Sequence, residues 1–459
     1  MFGFFKLWRR ESGAIIALAL PLALTQLSHI AMVTTDVVMM GWLGPRALAA
    51  GTLGNHYYWF FDMFAMGLVG AVAPILAQHL GARRFREVRR TLRQGIWAAL
   101  IIAVPCIAAI WHSGAALILL GQDAALAGAA QSYLRHMVIG FVPGLGFVAL
   151  ASFLAAHARP RATLVVAILG ICVNGVGDYA LIFGHFGLPR LELAGAGAVT
   201  AMVNAFMFLS LLAFVLTDRR LRRYHLLGRF WRADWPKLRE IFRVGLPIAV
   251  TVLAEIGMFL AAALLIGLLG TAALAAHAIA LQYTAIAYMI AHGICQASTV
   301  RVGRAAGAGD HRGATRAGWT ALSLGLIYAA LPAAAFWFLG GFLVDLFLDP
   351  GHPGTAQVKP LAVSFLAVAA LFQFIDCAQV TIMGGLRGLK DTRMPMLFAL
   401  FGYWGLGLPA AAFLGFYMDF GGQGVWGGLA LGLSVVGICL IVRFRIRTRR
   451  QTQRQFTDN

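Results

Sequence analysis

Five acidic residues stand where a helix solvated by lipid ordinarily excludes charge: Asp36, Asp62, Asp178, Glu255 and Asp376 all fall inside long apolar stretches. An ionisable side chain at such a helix centre costs roughly 2.5–3.5 kcal/mol on insertion scales, so each needs a use or a buried partner. No basic residue is spaced to pair with them inside those stretches. Thr25, His29 and Asp36 are separated by four and seven positions, which puts them on one helix face. Asn174 and Asp178 are one turn apart, so an amide and a carboxylate converge, and Thr200 in the next stretch can add a hydroxyl. Oxygen donors such as Asp36, Asn174, Asp178 and Thr200 suit either a stored proton or a small hard cation such as Na⁺. The proton role needs a carboxylate that burial makes more basic; the sodium role needs it charged, with the other oxygens close. Glu255 and Asp376 are candidates for ion coupling or for attracting a cationic substrate. For every one of these acids the alternative is a satisfied structural network.

Other candidates are less chemical. Tyr57, Tyr283 and Tyr288 can line a cavity for flat lipophilic cations through burial and cation–π attraction, although packing or an interfacial belt is the ordinary role of such rings. His29, Asp62 and Phe372, the last one turn before Asp376, are placed with the same possible cavity. His56, His277 and His292 have no metal-ligand spacing, and a single backbone carbonyl can satisfy an imidazole. No metal centre is expected, beyond Na⁺ at the ion-coupling residues.

The elements that must position these groups are membrane helices. The chain has 459 residues, 60% hydrophobic and only 12% charged, too little polar surface for a soluble domain of this length. Apolar runs of helix-spanning length recur throughout, where a membrane barrel would show short alternating segments. Twelve spans are expected, near 14–40, 48–80, 95–117, 131–156, 162–184, 194–217, 241–267, 274–300, 317–341, 360–386, 395–417 and 424–443. The first follows Lys6, Arg9 and Arg10 as a leader would, but it is long and lacks a small-residue cleavage pattern, so it reads as a retained helix. Of the five cysteines, Cys106, Cys172, Cys295 and Cys377 lie in apolar helices without paired spacing, against a disulfide or zinc framework.

The net charge of +19 does not point to nucleic acid, because the basic residues cluster at both ends and in every second loop. Only Arg46, Arg135, Arg190 and Lys359 sit near the alternate loops. That alternation places both termini in the cytoplasm, in an inner membrane. The basic run at 443–454 serves as the same signal, or binds anionic lipid.

The longest basic loop halves the chain, and the halves repeat at an offset of 226: Pro21 matches Pro247, Gly41 Gly267, Gly44 Gly270, Gly67 Gly293 and Gly81 Gly307, with GWLGPRALAA answering GLLGTAALAA. Six spans separate equivalent points, so both repeats share one orientation and a pseudo-two-fold axis along the membrane normal. The expected domains are an N-lobe at 1–217, a cytoplasmic loop at 218–240, a C-lobe at 241–443 and a basic tail at 444–459. Facing bundles make a cleft, which an alternating-access carrier uses and a scaffold does not need. No phosphate-binding loop, nucleophile elbow or HExxH motif is present, so the chain reads as a carrier without cofactor or ATP motor, not an enzyme.

These residues resemble the multidrug and toxic compound extrusion (MATE) family in its NorM-like branch. The resemblance covers nearly the whole chain, through PLALTQLSHIAMVTTDVVMMGWLG with Asp36, NGVGDY with Asn174 and Asp178, PIAVTVLAE with Glu255, and GGLRGLKDTRMP after the tenth span. It implies a bacterial inner-membrane antiporter, working as a monomer, that exports diverse organic cations in exchange for H⁺ or Na⁺. By position, Asp36, Asn174, Asp178 and Thr200 resemble the N-lobe cation or proton site, and Glu255 and Asp376 the C-lobe acidic site. Where the NorM-like pattern has a tyrosine, this chain has Phe372, which turns the expectation from Na⁺ toward H⁺. The competing readings are a lipid-linked glycan flippase of related fold, which calls for a basic cavity, a passive channel and a non-transport scaffold.

Overall fold

The computed structural model describes residues 2–226, 228, 230–348 and 354–457. Among them twelve helices are long and apolar enough to cross a membrane: α1 (Leu7–Trp42), α2 (Pro45–Gly81), α3 (Phe85–Trp111), α4 (Ala124–Ala156), α5 (Pro160–Phe183), α6 (Glu192–Thr217), α7 (Trp235–Leu268), α8 (Thr271–Gly307), α9 (His311–Phe338), α10 (Thr355–Gly388), α11 (Arg393–Tyr417) and α12 (Gly421–Arg450). The protein is therefore an all-α, multi-pass membrane protein.

Where the edges differ from hydropathy, the helix runs on into polar sequence. α3 begins at Phe85, so Arg86, Arg89, Arg90 and Arg93 ride its first turns instead of forming a loop. It stops at Trp111, and Ser113–Leu119 is a separate short helix. Gly340–Asp345 likewise leaves the ninth span. The basic run after Arg443 continues the last helix to Thr457. Leu227 and Arg229 of the expected loop, and Asp458 and Asn459 of the expected tail, lie outside the described residues.

Local chemistry sets the breaks. Gly44 and Gly270 both adopt φ near +115°, at 115° and 114°, a region that favours glycine, and each turns the chain from one long helix into the next. Pro45 and Pro160 occupy first turns, where no backbone donor is lost. On either side of Pro409 in α11 the backbone widens into π-helical turns at Phe401–Gly407 and Phe413–Tyr417, which absorb the missing N–H within the span.

The chain divides into two compact units, Leu24–Ala249 and the remainder, Met1–Ala23 with Val250–Asn459. The dividing points are inside α1 and α7, just after Pro21 and Pro247, and not in the 218–240 segment expected to separate the lobes. The first halves of α1 and α7 thus belong with the opposite sequence repeat. The repeat itself explains why. In the first unit Gly67 of α2 meets α7 so closely that a Cβ would lie 2.8 Å from Ala249 Cα; in the second a Cβ on Gly293 of α8 would lie 2.7 Å from Ala23 Cβ. Gly67 and Gly293, like Ala23 and Ala249, are partners at the same offset of 226. Close backbone approach at small residues is how helices associate where lipid removes the hydrophobic drive.

Ion pairs hold the helix ends within each unit. Glu11 receives two bonds from Arg301, at 2.8 and 2.7 Å. Asp391 receives Arg443 and Arg447 at 2.9 and 3.0 Å. In the first unit the segment after α6 is drawn onto α3: Arg90 meets Asp234 at 2.5 Å, Arg93 donates to the Gly228 carbonyl at 2.6 Å and Trp97 to that of Phe230 at 3.0 Å. Asp218, outside the spans, accepts from Arg159, which holds its carboxyl below the usual range.

A buried carboxyl network as candidate functional site

In the first unit α1, α5 and α6 bring together the four residues Asp36, Asn174, Asp178 and Thr200. Asn174 spends both amide hydrogens on carboxylates, donating to Asp36 Oδ1 at 2.7 Å and Asp178 Oδ2 at 3.2 Å. The one-turn spacing on α5 makes the second bond, and α1 supplies the first. Thr200 Oγ1 lies 3.0 Å from the Ala196 carbonyl and 3.4 Å from Asp36 Oδ2. One hydroxyl hydrogen cannot serve both well, and the shorter bond is to the backbone. Asp36, Asn174 and Asp178 are 7%, 2% and 0% exposed. Asn174 Oδ1 and Asp178 Oδ1 have no partner among the described residues. The site therefore offers several oxygens, two of them idle, and among the described residues no basic side chain is bonded to either carboxyl. Oxygen donors of this kind suit a proton or a small hard cation.

Tyr133 of α4 is the neighbour that sequence reasoning missed. It is buried and within the electrostatic field of both Asp36 and Asp178. Gly54 of α2 leaves room for its ring, since a Cβ there would stand 2.9 Å from it. No periodicity or motif distinguishes this tyrosine from the others in the chain.

In the second unit Glu255 and Asp376 are within each other's electrostatic reach, and contrary to the sequence reading Glu255 has a basic residue in reach, Arg387 of α10. Asp376 is 4% exposed. Phe372 is packed edge-on between Phe259 and Trp426. Gln373 and Gln379 flank Asp376 on α10. Gln379 donates to Tyr403 Oη, and Gln373 to Cys377 Sγ at 3.2 Å.

The remaining candidates are less convergent. Tyr57 and Tyr283 donate to backbone carbonyls, of Ala109 at 3.2 Å and Leu343 at 2.7 Å, so both hydroxyls tie structure together. Tyr288 stacks on His292 with ring centroids 5.7 Å apart. His29 meets Phe147 edge-on at 5.9 Å. Asp62 is half-buried on α2. His277 departs from expectation: it is buried, yet among the described residues no backbone carbonyl satisfies either ring nitrogen. Cys439 is the fifth cysteine, and all five are free.

Twelve spans, an internal repeat and carboxyl groups buried within the spans fit a polytopic membrane transporter. The MatE family model matches residues 21–180 and 247–413, two segments that begin at the paired prolines. A relative from Mesorhizobium japonicum, described as a probable multidrug resistance protein NorM, is 44% identical over 446 residues, covering 97% of this chain and 96% of that one. A protein of the same description from Pseudomonas aeruginosa is 38% identical, over 96% and 90%. The fold is shared with a MATE protein solved in complex with MaL6 (TM-score 0.87, 20% identity, 96% and 97% covered) and with the eukaryotic MATE transporter AtDTX14 (0.84, 20%, 98% and 99%). The chain belongs to the MATE family, in its NorM-like branch.

Proposed function

We propose that this protein is a secondary active efflux antiporter of the bacterial inner membrane, with both termini cytoplasmic, which exports organic, largely cationic lipophilic compounds in exchange for H⁺, or Na⁺, by alternating access as a single chain. The observation that carries the reading is the Asp36–Asn174–Asp178–Thr200 network. Two buried carboxyl groups joined through one amide are an unstable ground state when both are ionised. A proton on one of them, able to donate toward Thr200 Oγ1 or its partner carboxylate, relieves that. So does a cation bound by the idle Asn174 and Asp178 oxygens. Loading the network in one facing state and unloading it in the other couples the ion to the substrate, provided that affinities differ between the states. The relatives named for multidrug resistance support the substrate class.

The test is reconstituted transport of a fluorescent organic cation with a pH gradient and a Na⁺ gradient imposed separately. Uptake against the pH gradient alone supports proton exchange; uptake that follows Na⁺ alone moves the coupling to sodium. Dye movement that ignores both gradients would reject antiport.

A further inference from the structure

We infer that the second unit encloses a buried water chain leading toward Asp376, with His277 and the indole N–H of Trp426 at its head and the side-chain amides of Gln373 and Gln379 along it. His277 is near the start of α8 and Trp426 near the start of α12, the ends of these helices that carry few basic residues. They are 2% and 0% exposed, their rings are 5.6 Å apart, and His277 Nδ1, His277 Nε2 and Trp426 Nε1 all lack a partner among the described residues. Trp426 in turn meets Phe372 edge-on at 5.6 Å, one turn of α10 before Asp376. At that level Gln373 Oε1, Asp376 Oδ1 and Gln379 Oε1 are buried and also unpartnered. Turning the Gln379 amide does not help, because Tyr403 Oη engages one end and leaves the other orphaned.

The kind of ligand follows from the count of donors and acceptors. The indole N–H and one imidazole N–H are donors; the second imidazole nitrogen and the glutamine and aspartate oxygens are acceptors. A bare cation answers only the acceptors and is repelled by the N–H groups, and an anion does the reverse. Water answers both, and a buried water takes two to four such partners. The Asp36 network differs here, since its idle atoms, Asn174 Oδ1 and Asp178 Oδ1, are both oxygens. Use of the chain as a proton route to Asp376 rests on the antiport reading above; its hydration does not.

Hydroxyl-radical labelling by millisecond X-ray exposure generates radicals from water in place, so it marks side chains beside sealed waters. The comparison is between Phe372, 1% exposed, and Phe444, 0% exposed and seated against Gly318 and Gly385. In the intact protein in lipid nanodiscs, Phe372 and Trp426 should label, with Phe372 roughly fivefold or more above Phe444. Equal labelling of the two phenylalanines overturns the proposal. Trp426→Phe keeps the ring and removes the donor, and should reduce labelling at Phe372 by about half or more; unchanged labelling overturns the indole's place in the chain. If Phe372 labels strongly while dye transport ignores an imposed pH gradient, the water chain stands and the proton-exchange reading falls.

Discussion

Asp36→Asn and Asp178→Asn replace a carboxyl by an amide of nearly the same shape, which keeps a hydrogen-bonding group in place and removes the ability to exchange a proton or carry a charge. Gradient-driven dye export should fall roughly tenfold or more in each, with the amount of folded protein in the membrane little changed; wild-type export by both variants would remove the network from the mechanism. Asn174→Leu acts on stability as well. It strips Asp36 Oδ1 and Asp178 Oδ2 of their shared donor, and a buried group left without a partner costs about 1–3 kcal/mol, more when charged. Its unfolding temperature in detergent should therefore drop, and less so at acid pH, where protonation lowers the charge left unpaired. A variant as stable as the parent at neutral pH would mean the carboxyls do not depend on that amide.

At the scale of the helix, glycine packing sets tolerance. A Cβ on Gly67 or Gly293 would reach into a facing helix, whereas one on Gly41 meets nothing within 4 Å. Gly67→Leu and Gly293→Leu should each destabilise by about 1–3 kcal/mol through overpacking, read as lost monodisperse protein on size-exclusion chromatography, while Gly41→Ala should behave as the parent. The pairing of Gly67 with Gly293 was legible in the sequence, because a repeat holds register. Their packing partners were not: a period of 226 shows that two alanines are equivalent without showing which helix each touches. For the same reason the lobe boundary looked like the long basic loop, when the first halves of α1 and α7 pack with the other repeat. Asn174 and Asp178 announced themselves by one-turn spacing and by being polar in an apolar run. Tyr133, Trp426 and the missing partner of His277 did not, since aromatic and histidine residues occur at many positions in such helices and no spacing marks the inward ones. The start of α3 was hidden because Arg86, Arg89, Arg90 and Arg93 give its first turns the composition of a loop.

For the whole molecule, the sidedness of charge decides which way the carrier faces. The segment joining α6 to α7 exposes Arg219, Arg220, Arg222 and Arg223, while Leu221 and Tyr224 are buried. Asp218 pins its start by accepting from Arg159 and from the Arg220 and Leu221 amides, at 2.9 and 3.1 Å for the latter two. Because Arg159 lowers the Asp218 carboxyl below its unfolded value of about 3.9, that pin is fully present at neutral pH and is lost only as pH falls through the lower folded value. Arg219, Arg220, Arg222 and Arg223 are thus a held and accessible set of basic sites at physiological pH. Under the proposed topology, trypsin should cut it in sealed inside-out vesicles and leave it intact in right-side-out spheroplasts. Asp218→Asn should speed that cleavage at neutral pH by loosening the segment, without changing which vesicles are cut. The positive-inside rule makes this a test of the entire charge distribution, since reversing one loop reverses every other. Cleavage in spheroplasts would invert the protein, and with it the direction in which a proton reaching the Asp36 network could drive export.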